Sequence, residues 1–156
     1  MTVVTGSRYL GRFIGNREAA NTWLADKAQG WEESVKTLSG VVHNHPQSAY
    51  AGLKNSPQQE WEFVKQVTPD IGDTLGPVEQ AQREAFITDL FHGLGERKLG
   101  RGFICLTLKQ SGLDLPYPKN KAPENCKAYC VITGHLIAEL RGQEEFSMAD
   151  QSAYIQ

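Results

Sequence analysis

The chain has 156 residues, enough for one domain with a real core. Its composition, 40% hydrophobic and 22% charged, excludes a disordered polymer, and a net charge of −2 excludes a uniformly basic nucleic-acid binder. No apolar run approaches the ~18 residues of a membrane span, so no membrane partner is expected. Residues 1–17 lack the apolar core of ~7–15 residues that marks a secretory signal. The three cysteines, Cys105, Cys126 and Cys130, are odd in number and read as free thiols of an intracellular protein.

The charge is unevenly spread. Residues 1–17 carry Arg8, Arg12 and Arg17 and no acid. Residues 18–96 hold 12 acids against 5 bases, a net of −7. Residues 97–127 are basic again at +5, with Arg97, Lys98, Arg101 and Lys109 leading the block, and residues 128–156 return to −3. Both positive blocks fall in segments expected to be mostly non-helical.

In chain order, Tyr9, Leu10, Phe13 and Ile14, punctuated by Gly11 and Gly15, read as a short buried strand or tight hairpin. Asn16 is a candidate N-cap, with Glu18 in the first turn. Ala20, Leu24, Ala28, Trp31, Val35, Leu38 and Val42 then recur three or four residues apart, which predicts one amphipathic helix over 17–42. His43-Asn44-His45-Pro46 ends it. A second helix carries Ala49, Tyr50 and Leu53, breaks at Pro57 with Ser56 as the next N-cap, and resumes through Trp61 and Val64 to Thr68-Pro69. After a turn-rich stretch from Asp70, Gly76-Pro77 opens a third helix whose inner face is Val78, Ala81, Ala85, Phe86 and Leu90. Phe103 to Leu108 is an extended or strand candidate, followed by a turn that buries Leu113 and Leu115. Pro123-Glu124 opens a last helix, with Tyr129 or Cys130, Thr133, Ile137 and Leu140 facing inward. The tail from Glu144 is polar and is expected to fray.

The fold class is therefore mainly α: a helical bundle preceded by a short β-hairpin or strand, with one further extended segment near 103–108. The expected divisions are 1–15, 16–92, 93–120, 121–142 and 143–156.

No catalytic constellation stands out. Cys126 and Cys130 share a helix face, but His135 is turned away and no second Cys or His pair has zinc-finger spacing. Buried structural thiols are the plainer reading. His43 and His45 flank a turn without a nucleophile motif nearby. Asp70 and Asp73 do not form the acidic loop of a calcium site. Trp23, Trp31 and Trp61 read as core. Neither Gly93-x-Gly95 nor Gly100-x-Gly102 leads into a phosphate loop. No cofactor is expected, and an enzyme is disfavoured.

Three ordered stretches give the chain a family likeness. Arg8-Tyr9-Leu10-Gly11 with Phe13-Ile14-Gly15 resembles the "YLG" primer-grip segment that follows the palm in reverse transcriptases of non-LTR retrotransposons. Pro46 to Leu53 followed by Gln59-Glu60-Trp61, with the Trp23-Leu24 and Trp31 helix before them, resembles the thumb helices of that family. Lys109 to Pro116 resembles the "GGLGL" segment beyond the thumb. Family members often have Gly where Arg12 stands, Leu where Pro57 stands and Gly where Ser111 stands. The resemblance implies a primer-grip-like segment at 1–15, a thumb-like bundle at 16–92 and a basic loop at 93–120.

It also implies what is missing. In the family, aspartates of the palm hold two divalent metals and precede the "YLG" segment, whereas this chain begins almost at that segment. The expectation is a truncated, non-catalytic remnant of an RNA-directed DNA polymerase. Its two basic blocks would meet an RNA–DNA or DNA duplex weakly and without sequence preference, using Arg8, Tyr9, Gly11, Arg12, Arg97, Lys98, Arg101 and Lys109. A palm-containing partner or a larger polyprotein is the implied protein context. The competing expectations are a helical protein-interaction module and a fragment without independent function.

Overall fold

The computed structural model describes residues 6–9, 11–92 and 100–142, apart from the side chains of Arg101, Asn120, Lys121, His135 and Glu139. The tail from Glu144, Leu10 and the segment holding Arg97 and Lys98 lie outside the described residues. The protein is mainly helical behind an N-terminal hairpin. Strands β1 (Gly6–Tyr9) and β2 (Arg12–Gly15) pair antiparallel, with Gly6 opposite Gly15 and Tyr9 opposite Arg12. Gly11 turns the chain at φ +80°, a conformation open to glycine and strained for most residues.

The hairpin is not the buried bend that its sequence suggests. Tyr9 is 64% exposed and Ile14 58% exposed. Phe13 is partly covered, where its ring stacks on Trp23 at 6.1 Å between centroids. Four residues per strand offer too little apolar area to build a core, so the hairpin rests on the helices through small contacts, the Phe13–Trp23 stack and the Gly11 turn beside Phe63.

The organising element is helix α1 (Arg17–Val42). The Asn16 side chain accepts from the Ala19 amide at 2.8 Å and satisfies one of the four unpaired donors at the helix start. Leu24, Ala28, Trp31, Val35, Ser39 and Val42 form its buried stripe, as the three–four spacing requires. Helices α2 (Pro46–Asn55) and α3 (Pro57–Val67), and the later α4 (Gly76–Ala81) and α5 (Ile87–Leu90), all pack against α1. The break between α2 and α3 falls where Pro57 demands it, but Ser56 makes no side-chain capping bond. The Pro57 ring itself is buried.

A 3-10 turn (Gly72–Leu75) leads into α4, and a π-helical turn (Gln82–Phe86) joins α4 to α5. The wider turn keeps Val78, Ala81, Phe86 and Ile87 in the core, while Ala85 and Leu90 lie at its margin.

Two expectations fail beyond this point. Within Phe103–Leu108 the backbone is extended at Leu106 and Thr107, and no strand forms there. Arg101–Cys105 forms a helical turn, α6, and Leu108–Gln110 a 3-10 turn. Only Ile104 of this apolar run is fully buried, while Phe103, Leu106 and Leu108 are 41%, 39% and 62% exposed. A strand would need an open edge to pair with, and instead the backbone bonds close locally. The Leu106 amide donates to the Gly102 carbonyl, and the Leu113 and Leu115 amides fold back onto the carbonyls of Phe103 and Ile104. Leu115 is buried and Leu113 partly so, as expected.

The last helix, α7, runs from Pro118 to Leu140, with Pro123 inside it. It starts five residues before Pro123 because Tyr117 and Ala122 enter the core and the Glu79 carboxylate accepts from the Lys119 amide at 3.1 Å. The expected inner face does not reach the core. Tyr129 is 38%, Ile137 46% and Leu140 88% exposed. The amphipathic stripe is present, but among the described residues the bundle lends it no full cover.

Candidate nucleic-acid interface

The hairpin register places Arg8 beside Phe13 and Tyr9 beside Arg12. Cross-strand partners lie on one side of a ribbon and successive residues on opposite sides. Phe13 anchors the ribbon on Trp23, and Gly11 brings its turn against α3, where a methyl on Gly11 would sit 3.0 Å from the Phe63 ring. Arg8, Tyr9 and Arg12 are exposed around these two anchors.

Two clefts flank β2. One, of about 650 Å³, lies between β2, the start of α1 and the segment after α3, and is lined by Arg12, Arg17, Asn21, Trp23, Thr68 and Asp70 among others. The second, of about 540 Å³, runs between the end of α3 and α7, and includes Arg12, Val67, Cys126, Tyr129, Leu136 and Ile137. Arg12 borders both. The first cleft presents two guanidinium-bearing residues, hydroxyls and an amide, a donor set that suits phosphate oxygens. Asp70 on its rim tempers the positive field.

The charge network beneath the hairpin is anchored at Glu60. One of its oxygens accepts from Lys27 Nζ, and the other accepts from Trp31 Nε1 at 2.8 Å. Partial burial pushes the carboxyl up. The Lys27 and Trp31 hydrogen bonds, with the charges of Lys27 and Arg8, outweigh burial and hold it below its ordinary value. Cys126 and Cys130 are free thiols one helical turn apart, but they are not buried as expected, Cys126 being half-buried and Cys130 exposed. Burial, then the neighbouring Cys130, raises the Cys126 thiol, with Asp70 adding to the rise and Arg12 opposing it.

The structure unites Arg8, Tyr9, Gly11 and Arg12 in one hairpin. It does not gather the second block with them. Lys109 is exposed on the 3-10 turn, in a segment tied to α2 by Tyr50 Oη donating to the Leu113 carbonyl at 2.6 Å and by Lys54 Nζ donating to Asp114 Oδ2 at 2.5 Å. Burial, with the charge of Asp114, raises the Tyr50 hydroxyl above its ordinary value. The Arg101 side chain, and Arg97 and Lys98 entirely, lie outside the described residues. Lys119, also in the basic block, pairs with Asp73 at 3.0 Å.

Sequence reasoning missed Arg17 as a site residue. Its signal was its place one residue after the Asn16 cap, which fixes it at the mouth of the first cleft beside the hairpin. It also missed that His92 approaches His43, with ring centroids 6.3 Å apart. Among the described residues no three His, Cys, Asp or Glu side chains group closely enough to hold a metal. No helix of the described residues is long and apolar enough to cross a membrane. No protein-family model, curated protein or solved structure matches the chain.

Proposed function

We propose that the chain is a non-catalytic, thumb-like piece of the reverse-transcriptase type that holds the sugar-phosphate backbone of a primer–template duplex without reading its sequence. The observation that carries this reading is the exposed hairpin with Arg8 and Arg12, beside a cleft that Arg12 shares with Arg17. Guanidinium groups on a ribbon seated by the Phe13–Trp23 stack displace counterions from a duplex and set its register, while an exposed Tyr9 offers a ring to a sugar or base. A further support comes from the "GGLGL"-like stretch. Ser111, where the family often has Gly, sits at φ +62°, a conformation that glycine adopts freely. No step of phosphoryl transfer is assigned to these residues.

Binding to an RNA–DNA hybrid across a salt titration tests the reading. The affinity is expected to fall steeply with salt, and replacing Arg12 and Arg17 by Ala is expected to flatten the slope of log K against log salt by about 1–2.

A second reading, a protein-interaction module, is favoured by one observation: the exposed Tyr129, Ile137 and Leu140 stripe of α7. Replacing Ile137 and Leu140 by Lys separates the two. Loss of self-association or partner binding with unchanged hybrid affinity favours the module. Unchanged association behaviour counts against it.

A further inference from the structure

The geometry points to a second site, remote in sequence from the hairpin: a two-imidazole chelate for a divalent transition ion of the zinc, nickel and copper class, formed by His43 and His92. His43 ends α1, and His92 stands two residues beyond α5 at φ +50°, so helices far apart in sequence deliver the two rings to one place. The ring centroids are 6.3 Å apart, with the planes tilted by 33°. A metal–imidazole bond of about 2.1 Å puts the ring centre roughly 3.2 Å from the ion, so two rings at the tetrahedral angle have centres roughly 5.2 Å apart. The observed separation exceeds that by about 1 Å, a gap that two exposed side chains close by small χ rotations.

The surroundings suit a cation. Asp89 Oδ1 lies 4.0 Å from His43 Nε2. The other Asp89 oxygen accepts from the buried Ser39 hydroxyl, which holds the carboxylate in place. A carboxylate fixed beside an imidazole offsets the charge of a bound dication and orients the ring. Imidazole nitrogen suits zinc, nickel and copper, whereas hard cations prefer oxygen. With two protein ligands, water completes the coordination, and affinity is that of a chelate rather than of a closed structural site. Such an ion would clamp the end of α1 to the end of α5. The unfolded chain presents the two histidines without this geometry, so binding stabilises the fold.

Thermal unfolding of the full chain with nickel(II) chloride near neutral pH tests the inference, since thiolates select softer ions. The wild-type Tm is expected to rise with metal concentration, by about 5–10 °C once free nickel exceeds half-saturation a hundredfold, and to return on adding a chelator. His43→Asn and His92→Asn should each abolish the rise and leave the metal-free Tm nearly unchanged, while His45→Asn and the Cys126→Ser/Cys130→Ser pair should retain it. No rise in the wild type overturns the inference. So does a rise that survives loss of His43 or His92, or one that vanishes with His45 or with the cysteines.

Discussion

Glu60 shows how much one side chain can connect in this molecule. It receives Lys27 from α1, satisfies the indole of the buried Trp31 and feels the charge of Arg8 on the hairpin. Replacing it by Ala leaves the Trp31 N–H without this acceptor and is expected to cost about 1–3 kcal/mol in chemical unfolding. Gln keeps an acceptor and should cost less. Because the folded carboxyl is held below its ordinary value of 4.5, its contribution is fully present above that pH and is lost as pH falls through the lower folded value. The side chain is 43% exposed, so solvent screening limits the effect to under about 1 kcal/mol. The acid limb of the wild-type stability curve should therefore be slightly steeper than that of Glu60→Gln.

The stretch around Ser111 makes a sharper residue-scale case. A methyl on Gly112 would fall 2.2 Å from the Leu106 carbonyl oxygen, whereas Ser111 holds a left-handed conformation one residue earlier. Gly112→Ala should destabilise by about 1–3 kcal/mol through forced displacement of backbone. Ser111→Gly should be far milder, since strain relief and the added freedom of the unfolded chain oppose each other. Equal effects at both positions in denaturant titration would remove the close approach to Leu106 as the reason for the glycine.

At the scale of elements, α1 was legible because its apolar spacing runs without a break and its cap, Asn16, sits where the spacing starts. The hairpin was legible as an element but not as an exposed one, since aromatic residues between glycines say nothing about what covers them. Residues 103–108 were misread for a different reason. Phe103-Ile104-Cys105-Leu106-Thr107-Leu108 is a short apolar run with no decisive period, and the backbone of residues 112–115 folding over it settles the matter as a helical turn. In α7 the inner face was misplaced: Ala122 is buried and Asn125, Cys126, Thr133 and Leu136 are half-buried, whereas Tyr129, Cys130, Ile137 and Leu140 are exposed, so of the expected face Thr133 alone is covered. The start of α7 was misplaced because Pro123 looks like a first-turn proline. Its ring cannot donate to the Lys119 carbonyl, and the helix tolerates the loss because Tyr117 and Ala122, both ahead of the proline, are buried. Pro123→Ala is accordingly expected to stabilise the protein by about 1–3 kcal/mol in thermal or denaturant unfolding. A loss of stability would mean that the proline presets the chain entering the core.

At the scale of the whole molecule, the candidate site was half legible. That Arg8 and Arg12 stand on adjacent strands, beside Phe13 and Tyr9 respectively, follows from a tight hairpin, which glycine spacing reveals. The cleft joining Arg12 to Arg17, Thr68 and Asp70 exists only because β2, α1 and the end of α3 meet, and no local pattern encodes that meeting. The same applies to His43 and His92, whose approach depends on the packing of α1 against α5. The overall charge of −2 hides these local assemblies, so a weak interaction steered by a few arginines is compatible with an acidic chain. On the proposed reading, the net charge of −7 over residues 18–96 would confine a duplex to the hairpin side, and the binding should be strongly salt-sensitive.

The most direct test of this account is the salt dependence of binding to an RNA–DNA hybrid, compared between the wild type and the Arg12→Ala/Arg17→Ala variant. The account predicts measurable binding at low salt, no preference among hybrid sequences, and a slope reduced by about 1–2 in the variant. Absence of binding at low salt, or a slope unchanged by removing both arginines, would contradict it.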